Sequence, residues 1–379
     1  MTKIYKKNDS FVDLKLTKKF GDISESKILE IINKNKYLFN NSSDLKILNK
    51  ISSDFSNDDN LKTKFNLKPN VKKEIEGLDD KNICRYLIHR YRYEIYPEKN
   101  IIDNFPPYLQ IEPTSICNYR CVFCYQTDNI FNKKTNGYMG HMPFDTFKKI
   151  IDQAENNIEF ISIASRGEPL ICPDIEEMLK YTHGKFLNLK LNTNASLLDE
   201  KKSHAILQSG VRTLVFSADA AETKLYSQLR VNGKLEKILK NIETFNYIKD
   251  KHYKDSNIIT RVSGVKVSKS QNINEMEKFW GNLVNQVAFV EYVPWENVYS
   301  SKPTNIEKSC SDLWRRMFVW WDGKINPCDV DYKSELKIGN FSDLNLSDAW
   351  KSNFYQELRK NHLNNLRHKT SPCNKCAVT

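Results

Sequence analysis

From Tyr108 onward, short apolar runs alternate with longer segments in which hydrophobic positions recur every three or four residues. The short runs are Tyr108–Glu112, Phe160–Ala164, Leu187–Asn192, Thr213–Ser217, Ile258–Val267 and Val287–Val293, and they have the length and bounded character of strands. Between them, Pro143–Asn156, Asp174–Thr182, Asp199–Ser209, Lys234–Lys249 and Asn274–Leu283 carry the helical period. Strands that alternate with helices, joined by right-handed crossovers, predict an α/β fold with a parallel, barrel-like sheet. Chemistry in such a sheet collects at the C-terminal strand ends.

The flanks have a different texture. Residues 1–104 are rich in Asn, Ser, Asp and Lys, with helical patterns at Glu25–Lys34 and Asp79–Tyr93 and loose segments at Asn40–Ser43 and Ser56–Asn60. His89–Tyr96 interleaves basic and aromatic residues as RNA binders do, but an amphipathic helix packing its tyrosines on a core accounts for it. Phe105-Pro-Pro-Tyr108 punctuates the chain and marks a boundary, so residues 105–300 are expected to form the core. In residues 301–379, Arg316–Trp321, Asp322-Gly323 and Lys324–Pro327 predict a hairpin with a tight primed turn. A helix over about Ser347–Asn361 follows.

With 379 residues there is room for two or three domains, and 40% hydrophobic residues make the chain globular. The net charge of +11 raises the question of a polyanionic partner, but the lysines are spread along a chain rich in Lys, Asn and Ile, so nucleic acid is not expected. The first residues lack an apolar signal segment, and no run reaches the ~18 apolar residues of a membrane span, so a cytoplasmic location is expected. In that compartment nine cysteines in patterned spacings fit metal binding better than disulfides.

Two cysteine sets stand out. Cys117, Cys121 and Cys124 form a C-x3-C-x2-C cluster just past the first strand. Three thiolates on one loop can ligate three irons of a [4Fe-4S] cube and leave the fourth iron open for a small chelating molecule. A zinc site would need a fourth ligand, and His141 is the nearest candidate within the next 40 residues. Cys310, Cys328, Cys373 and Cys376 form the second set, which allows one further cluster or a four-thiolate zinc knuckle.

The first triplet, with Phe123 before its last cysteine and a βα array behind it, resembles the radical S-adenosylmethionine (SAM) enzymes over roughly residues 105–379. The resemblance implies a partial (β/α)6 TIM-like barrel, a [4Fe-4S] cluster on the triplet, and SAM cleaved there to a hydrogen-abstracting radical. It also implies a reductant such as flavodoxin or ferredoxin. Ser165-Arg-Gly-Glu-Pro169 resembles the Gly-Gly-Glu-Pro element that holds the SAM amino group, with Arg166 in place of the first glycine. That match carries Gly167, Glu168 and Pro169 to the cofactor. Asn192-Thr-Asn194 resembles a Thr-Asn-Gly turn with Ala195 replacing glycine, Ser217-Ala-Asp219 resembles a ribose-contacting element, and Arg230 sits where the SAM carboxylate is paired. The spacing Gly323-x4-Cys328 resembles the start of the SPASM extension in its shorter twitch form, which holds one auxiliary [4Fe-4S] cluster.

A saturated second cluster suits a reaction in which the substrate radical must lose an electron. Twitch enzymes oxidising an aminocyclitol do this, so a carbohydrate-like small molecule is the expected substrate, oxidised or epimerised. Asp329, next to Cys328, is the expected base and Asp331 the second candidate. A peptide maturase would instead need a winged-helix leader binder within residues 1–104, an RNA-modifying enzyme would bind tRNA with strong salt dependence, and a non-catalytic barrel would not need Glu168 or Arg230.

Overall fold

The computed structural model describes residues 15–16, 23–56, 64–294, 296 and 298–379. The expected loose segment Ser56–Asn60 lies outside them except for Ser56. The N-terminal region contains β1 (Lys15–Leu16), α1 (Glu25–Asn35), α2 (Ser42–Ser56), α3 (Pro69–Ile75) and α4 (Asp80–Lys99). Then follow β2 (Tyr108–Ile111), β3 (Arg120–Cys121), α5 (Phe144–Ala154), β4 (Phe160–Ile163), α6 (Ile175–Tyr181), β5 (Asn188–Thr193) and α7 (Glu200–Gln208). The core continues through β6 (Val211–Ser217), α8 (Thr223–Leu229), β7 (Arg230–Val231), α9 (Leu235–His252), β8 (Ile259–Lys266), α10 (Ile273–Gly281) and β9 (Gln286–Glu291). The C-terminal part adds β10 (Arg316–Val319), β11 (Lys324–Asn326), β12 (Gly339–Asn340), α11 (Leu346–Lys351) and α12 (Asn353–Leu363).

One sheet runs in the order β1-β9-β8-β6-β5-β4-β2-β10-β11-β12, parallel from β9 to β10 and not closed. It is the partial barrel expected, with one difference: β10, from the C-terminal part, continues it beyond β2. Along each strand the pleat separates two faces. Leu109, Ile111, Ile161, Ile163, Leu189, Leu191, Leu214 and Phe216 join the apolar core beneath α5–α10. Each fully buried aliphatic or aromatic side chain there contributes about 1.5–3 kcal/mol. The alternate positions, among them Gln110, Ser162, Lys190, Asn192, Thr213 and Arg261, fall on the lumen face, and most are polar.

Helices α1–α4 have their own core, which extends to Tyr108 and Phe160 at the starts of β2 and β4. α4 is capped at its start by Asp79, whose side chain accepts from the Asn82 N–H, and at its end by Asn100 in the left-handed region (φ 53°). Tyr86 and Tyr93 lie 5.4 and 5.8 Å from Phe160, and Arg85 donates to the buried Glu159 (2.5 Å), so α4 lies across the N-terminal ends of the strands and floors the barrel. Tyr91, Tyr93 and Tyr96 are buried, in line with the packing reading of this stretch.

Several local expectations are corrected. Asn40–Ser43 is not loose: α2 starts at Ser42, with the Asn41 side chain accepting from the Ser43 N–H. The expected helix over Ser347–Asn361 is two helices, because Ser352 is extended (ψ 150°) and caps α12 through the Tyr355 N–H. The turn at Asp322-Gly323 is not primed. Only Gly323 has positive φ (78°), and the Gly323 N–H closes a turn onto the Trp320 carbonyl.

Candidate active site

The first cysteine loop leaves β2 and is fastened on three sides. Cys121 lies in β3, which pairs with β7 and sets it opposite Arg230, while the Val122 N–H reaches the Leu229 carbonyl at 3.1 Å. Asn118 donates to Ser196 (2.8 Å) and accepts from Asn194 (2.9 Å), tying the loop to the turn after β5. The Glu168 N–H donates to the Ile116 carbonyl (2.9 Å). Gly167 is required for that approach, since a Cβ there would lie 2.4 Å from the Thr114 carbonyl oxygen and 2.5 Å from that of Ile116.

Glu168 is buried and accepts three hydrogen bonds, which leaves its second oxygen room for one more. One oxygen accepts from the Leu170 N–H and Thr193 hydroxyl (3.1 and 2.6 Å), and the other from the Asn194 N–H (2.6 Å). Burial raises its pKa against the pull of these donors. Pro169 opens the short turn that follows. Ala195, where the resemblance expects glycine, adopts φ 61°, a conformation that costs about 1–2 kcal/mol for a residue with a Cβ. Arg230 is paired with buried Asp219 at 2.5 Å, in contact though not aligned as a hydrogen bond. It lies 3.8 Å from the Cys121 sulfur and 5.8 Å from the Phe123 ring. Ser217 ends β6 opposite Ser263.

All three thiols are pushed up by burial, Cys117 to about 12, so they are protonated in the free protein. A cationic iron centre would reverse that preference, because the thiolate is the ligand form. The Tyr119 N–H already points at the Cys117 sulfur (3.5 Å). Among the described residues no group of three or more His, Cys, Asp or Glu side chains is drawn together as a site for a single metal ion.

Cys310, Cys328, Cys373 and Cys376 all line one cavity, whose wall is mostly apolar (Leu313, Pro327, Val330, Leu336) with Asp312, Asp331, His362 and Arg367 also on it. Arg367 gathers the surrounding loops by donating to the carbonyls of Lys308, Cys373 and Cys376. The Val330 and Val378 N–H groups point at the Cys328 and Cys376 sulfurs (3.3 and 3.4 Å). Four thiols around an apolar hollow, with N–H donors on two of the sulfurs, fit an iron-sulfur cluster closed by protein ligands.

An aromatic cluster of Tyr125, Phe131 and Tyr332 touches both sets, with Cys124 of the first and Cys328 and Cys376 of the second packed against it. Tyr125 and Tyr332 stack at 4.7 Å. Arg166 crosses beside them. Its guanidinium makes a two-pronged pair with Glu112 (2.7 and 2.5 Å), donates to the Tyr332 carbonyl (2.8 Å) and stacks on Trp320 at 4.3 Å. Sequence reasoning noted Arg166 only as a departure and missed Glu112, Asn118 and Tyr332. The signal was a carboxylate ending the first strand and an arginine ending the second. Asp329 is buried beside Cys328. Asp331 is less suited to act as a base: its carboxylate accepts from the Tyr299 hydroxyl, Asn326 and the N–H groups of Glu335 and Leu336.

Residues 111–259 match the radical SAM superfamily, and residues 310–377 match SPASM, an iron-sulfur cluster-binding domain. The chain is a radical SAM protein with a C-terminal SPASM domain, which implies SAM, a [4Fe-4S] cluster and further iron-sulfur binding. A curated relative, GTP 3′,8-cyclase of Clostridium botulinum (strain Okra / Type B1), is 28% identical over 224 residues, covering 54% of this chain and 64% of that protein. The tungsten-containing aldehyde ferredoxin oxidoreductase cofactor-modifying protein of Pyrococcus furiosus is 31% identical over 118 residues, 31% of this chain and 32% of that protein. The chain thus spans less than two thirds of these relatives. Among solved structures, Streptococcus suis SuiB bound to S-adenosylmethionine shares the fold (TM-score 0.54, 19% identity, 78% of this chain, 76% of that one). BtrN in complex with AdoMet and 2-DOIA does so too (TM-score 0.50, 17% identity, 73% and 94%). No helix among the described residues is long and apolar enough to cross a membrane.

Proposed function

We propose that this protein oxidises, or epimerises, a small carbohydrate-like molecule. In this reading Cys117, Cys121 and Cys124 hold the SAM-binding cluster and Cys310, Cys328, Cys373 and Cys376 the auxiliary one. When bound, SAM and the first cluster supply a hydrogen-abstracting radical and the auxiliary cluster an electron acceptor. Gly167, Glu168, Pro169, Asn194, Ser217 and Arg230 form the rim that orients SAM, with Phe123 packed against Arg230. Asp329 takes up the hydroxyl proton of the substrate.

The supporting observation is the polarity of the lumen. Ser162 and Asn192 carry buried oxygen atoms with no hydrogen-bond partner in the structure. Such atoms cost about 1–3 kcal/mol each unless water or a ligand satisfies them. A polyhydroxylated ligand offers matching donors and acceptors, and the 2-DOIA complex of BtrN shows that this fold accepts a small molecule. The test is anaerobic incubation of reduced protein with SAM and candidate polyols, sugar nucleotides and peptides. Loss of two mass units from a polyol supports oxidation, and deuterium uptake without mass loss supports epimerisation. Modification of peptides alone would replace this reading with the peptide maturase. Asp329→Asn with unchanged turnover would remove the assigned base.

A further inference from the structure

The barrel floor contains a chamber that plays no part in the chemistry above. Between α3, α4 and the strand starts lies a cavity of about 50 Å³, more than the roughly 10–15 Å³ that one water requires. Its wall carries four cationic side chains, Arg90, Lys190, Arg261 and Arg316, and one carboxylate, Glu74.

Among the described residues, the acids near the chamber are fewer than its cations and are shared. Glu94 engages Arg90, and Asp312 stands 3.7 Å from Arg316 but is shared with Arg315. Glu74 accepts from Tyr86 and Asn188 and lies 3.7 Å from Arg90. Arg261 gives two hydrogen bonds to the neutral Gln286 amide oxygen (2.8 and 2.6 Å). The Lys190 ammonium lies 5.7 Å from the Tyr108 ring centre, and no carboxylate pairs with it among the described residues. Tyr108 itself is 7% exposed, and its hydroxyl is buried with no hydrogen-bond partner. Arg90 and Arg261 are buried and Lys190 and Arg316 half-buried, and cations in excess of their counter-charges are unfavourable where solvent is mostly excluded. The field is felt locally: burial alone would raise the Tyr93 phenol, yet Arg316, Arg315 and Arg90 hold it down at about 8.

We propose that this chamber binds a small inorganic anion, held by Lys190, Arg261 and Arg316 and by the Tyr108 hydroxyl. Because α3 and α4 supply one wall, the anion is shared between the N-terminal helices and the barrel. It helps to dock a region that has no other assigned role.

The test uses the full-length, anaerobically reconstituted protein, with inorganic phosphate exchanged for gluconate at constant ionic strength. Thermal unfolding is expected to shift upward in a saturable way. Tyr108→Phe keeps the ring and removes only the hydroxyl, and it should raise the half-saturating phosphate concentration about tenfold or more, since hydrogen bonds to charged groups are the stronger ones. Arg261→Met should abolish the shift. Crystals grown with bromide should show an anomalous peak between Lys190 and Tyr108. A chamber holding only water in those crystals would overturn the proposal, as would a phosphate response equal in wild type and Tyr108→Phe. Neither result bears on SAM cleavage, so this proposal and the catalytic one stand or fall separately.

Discussion

At Gly167 the chain runs against two carbonyl oxygens of the cysteine loop, and any side chain must displace one backbone or the other. Gly167→Ala should therefore lower unfolding stability by about 1–3 kcal/mol, measured by denaturant titration of the metal-free protein. A loss below ~0.5 kcal/mol would mean that the loops are not held this close. Arg166 makes the opposite kind of demand. Replacing one partner of its buried pair leaves an uncompensated charge, so Arg166→Met should cost about 3–5 kcal/mol, and the Glu112→Gln/Arg166→Met double variant should recover part of that. The cysteines and Gly167 were legible because their chemistry or sterics allow few other residues. Arg166 was visible only as a mismatch, since its partners lie 54 and 166 positions away.

Strands β2, β4, β5, β6, β8 and β9 and helices α5, α6, α7, α9 and α10 could be read from the apolar pattern, because each buries a continuous apolar face. α2 escaped, since its Ser- and Asn-rich sequence has weak helix propensity and is held by only a few buried positions, Ile47, Leu48 and Ile51 among them. The short α3 and α8 escaped for want of length. α4 makes a prediction at this scale. Burial first, and then Arg92 and Arg85, hold the His89 imidazole well below its ordinary value, so the folded chain stays unprotonated where the unfolded chain binds a proton. The stability that this supplies is present above about pH 6.5. It should be lost as pH falls, by up to ~1.4 kcal/mol per unit, with His89→Phe flattening that slope between pH 6.5 and 5. Equal slopes in variant and parent would place the acid sensitivity elsewhere.

For the molecule as a whole, two cysteine sets predict about eight irons per reconstituted chain, against about four if only the first set binds a cluster. Cys121→Ala should abolish SAM cleavage, whereas Cys373→Ala should retain some cleavage and lose product. Equal loss of cleavage in both would show that the two sets do not divide the work. The pairing of the two halves was not legible, because nothing in residues 316–319 marks them as partners of residues 108–111. That pairing constrains biosynthesis. A ribosome that has released the barrel's first strand must make some two hundred further residues before β10 can cover it. Until then the nascent chain exposes an open edge of parallel sheet, a surface prone to adding strands from other chains. Expression fragments ending near residue 300 should therefore aggregate where the full-length protein does not, and slow or interrupted translation past that point should be the hazard in producing it.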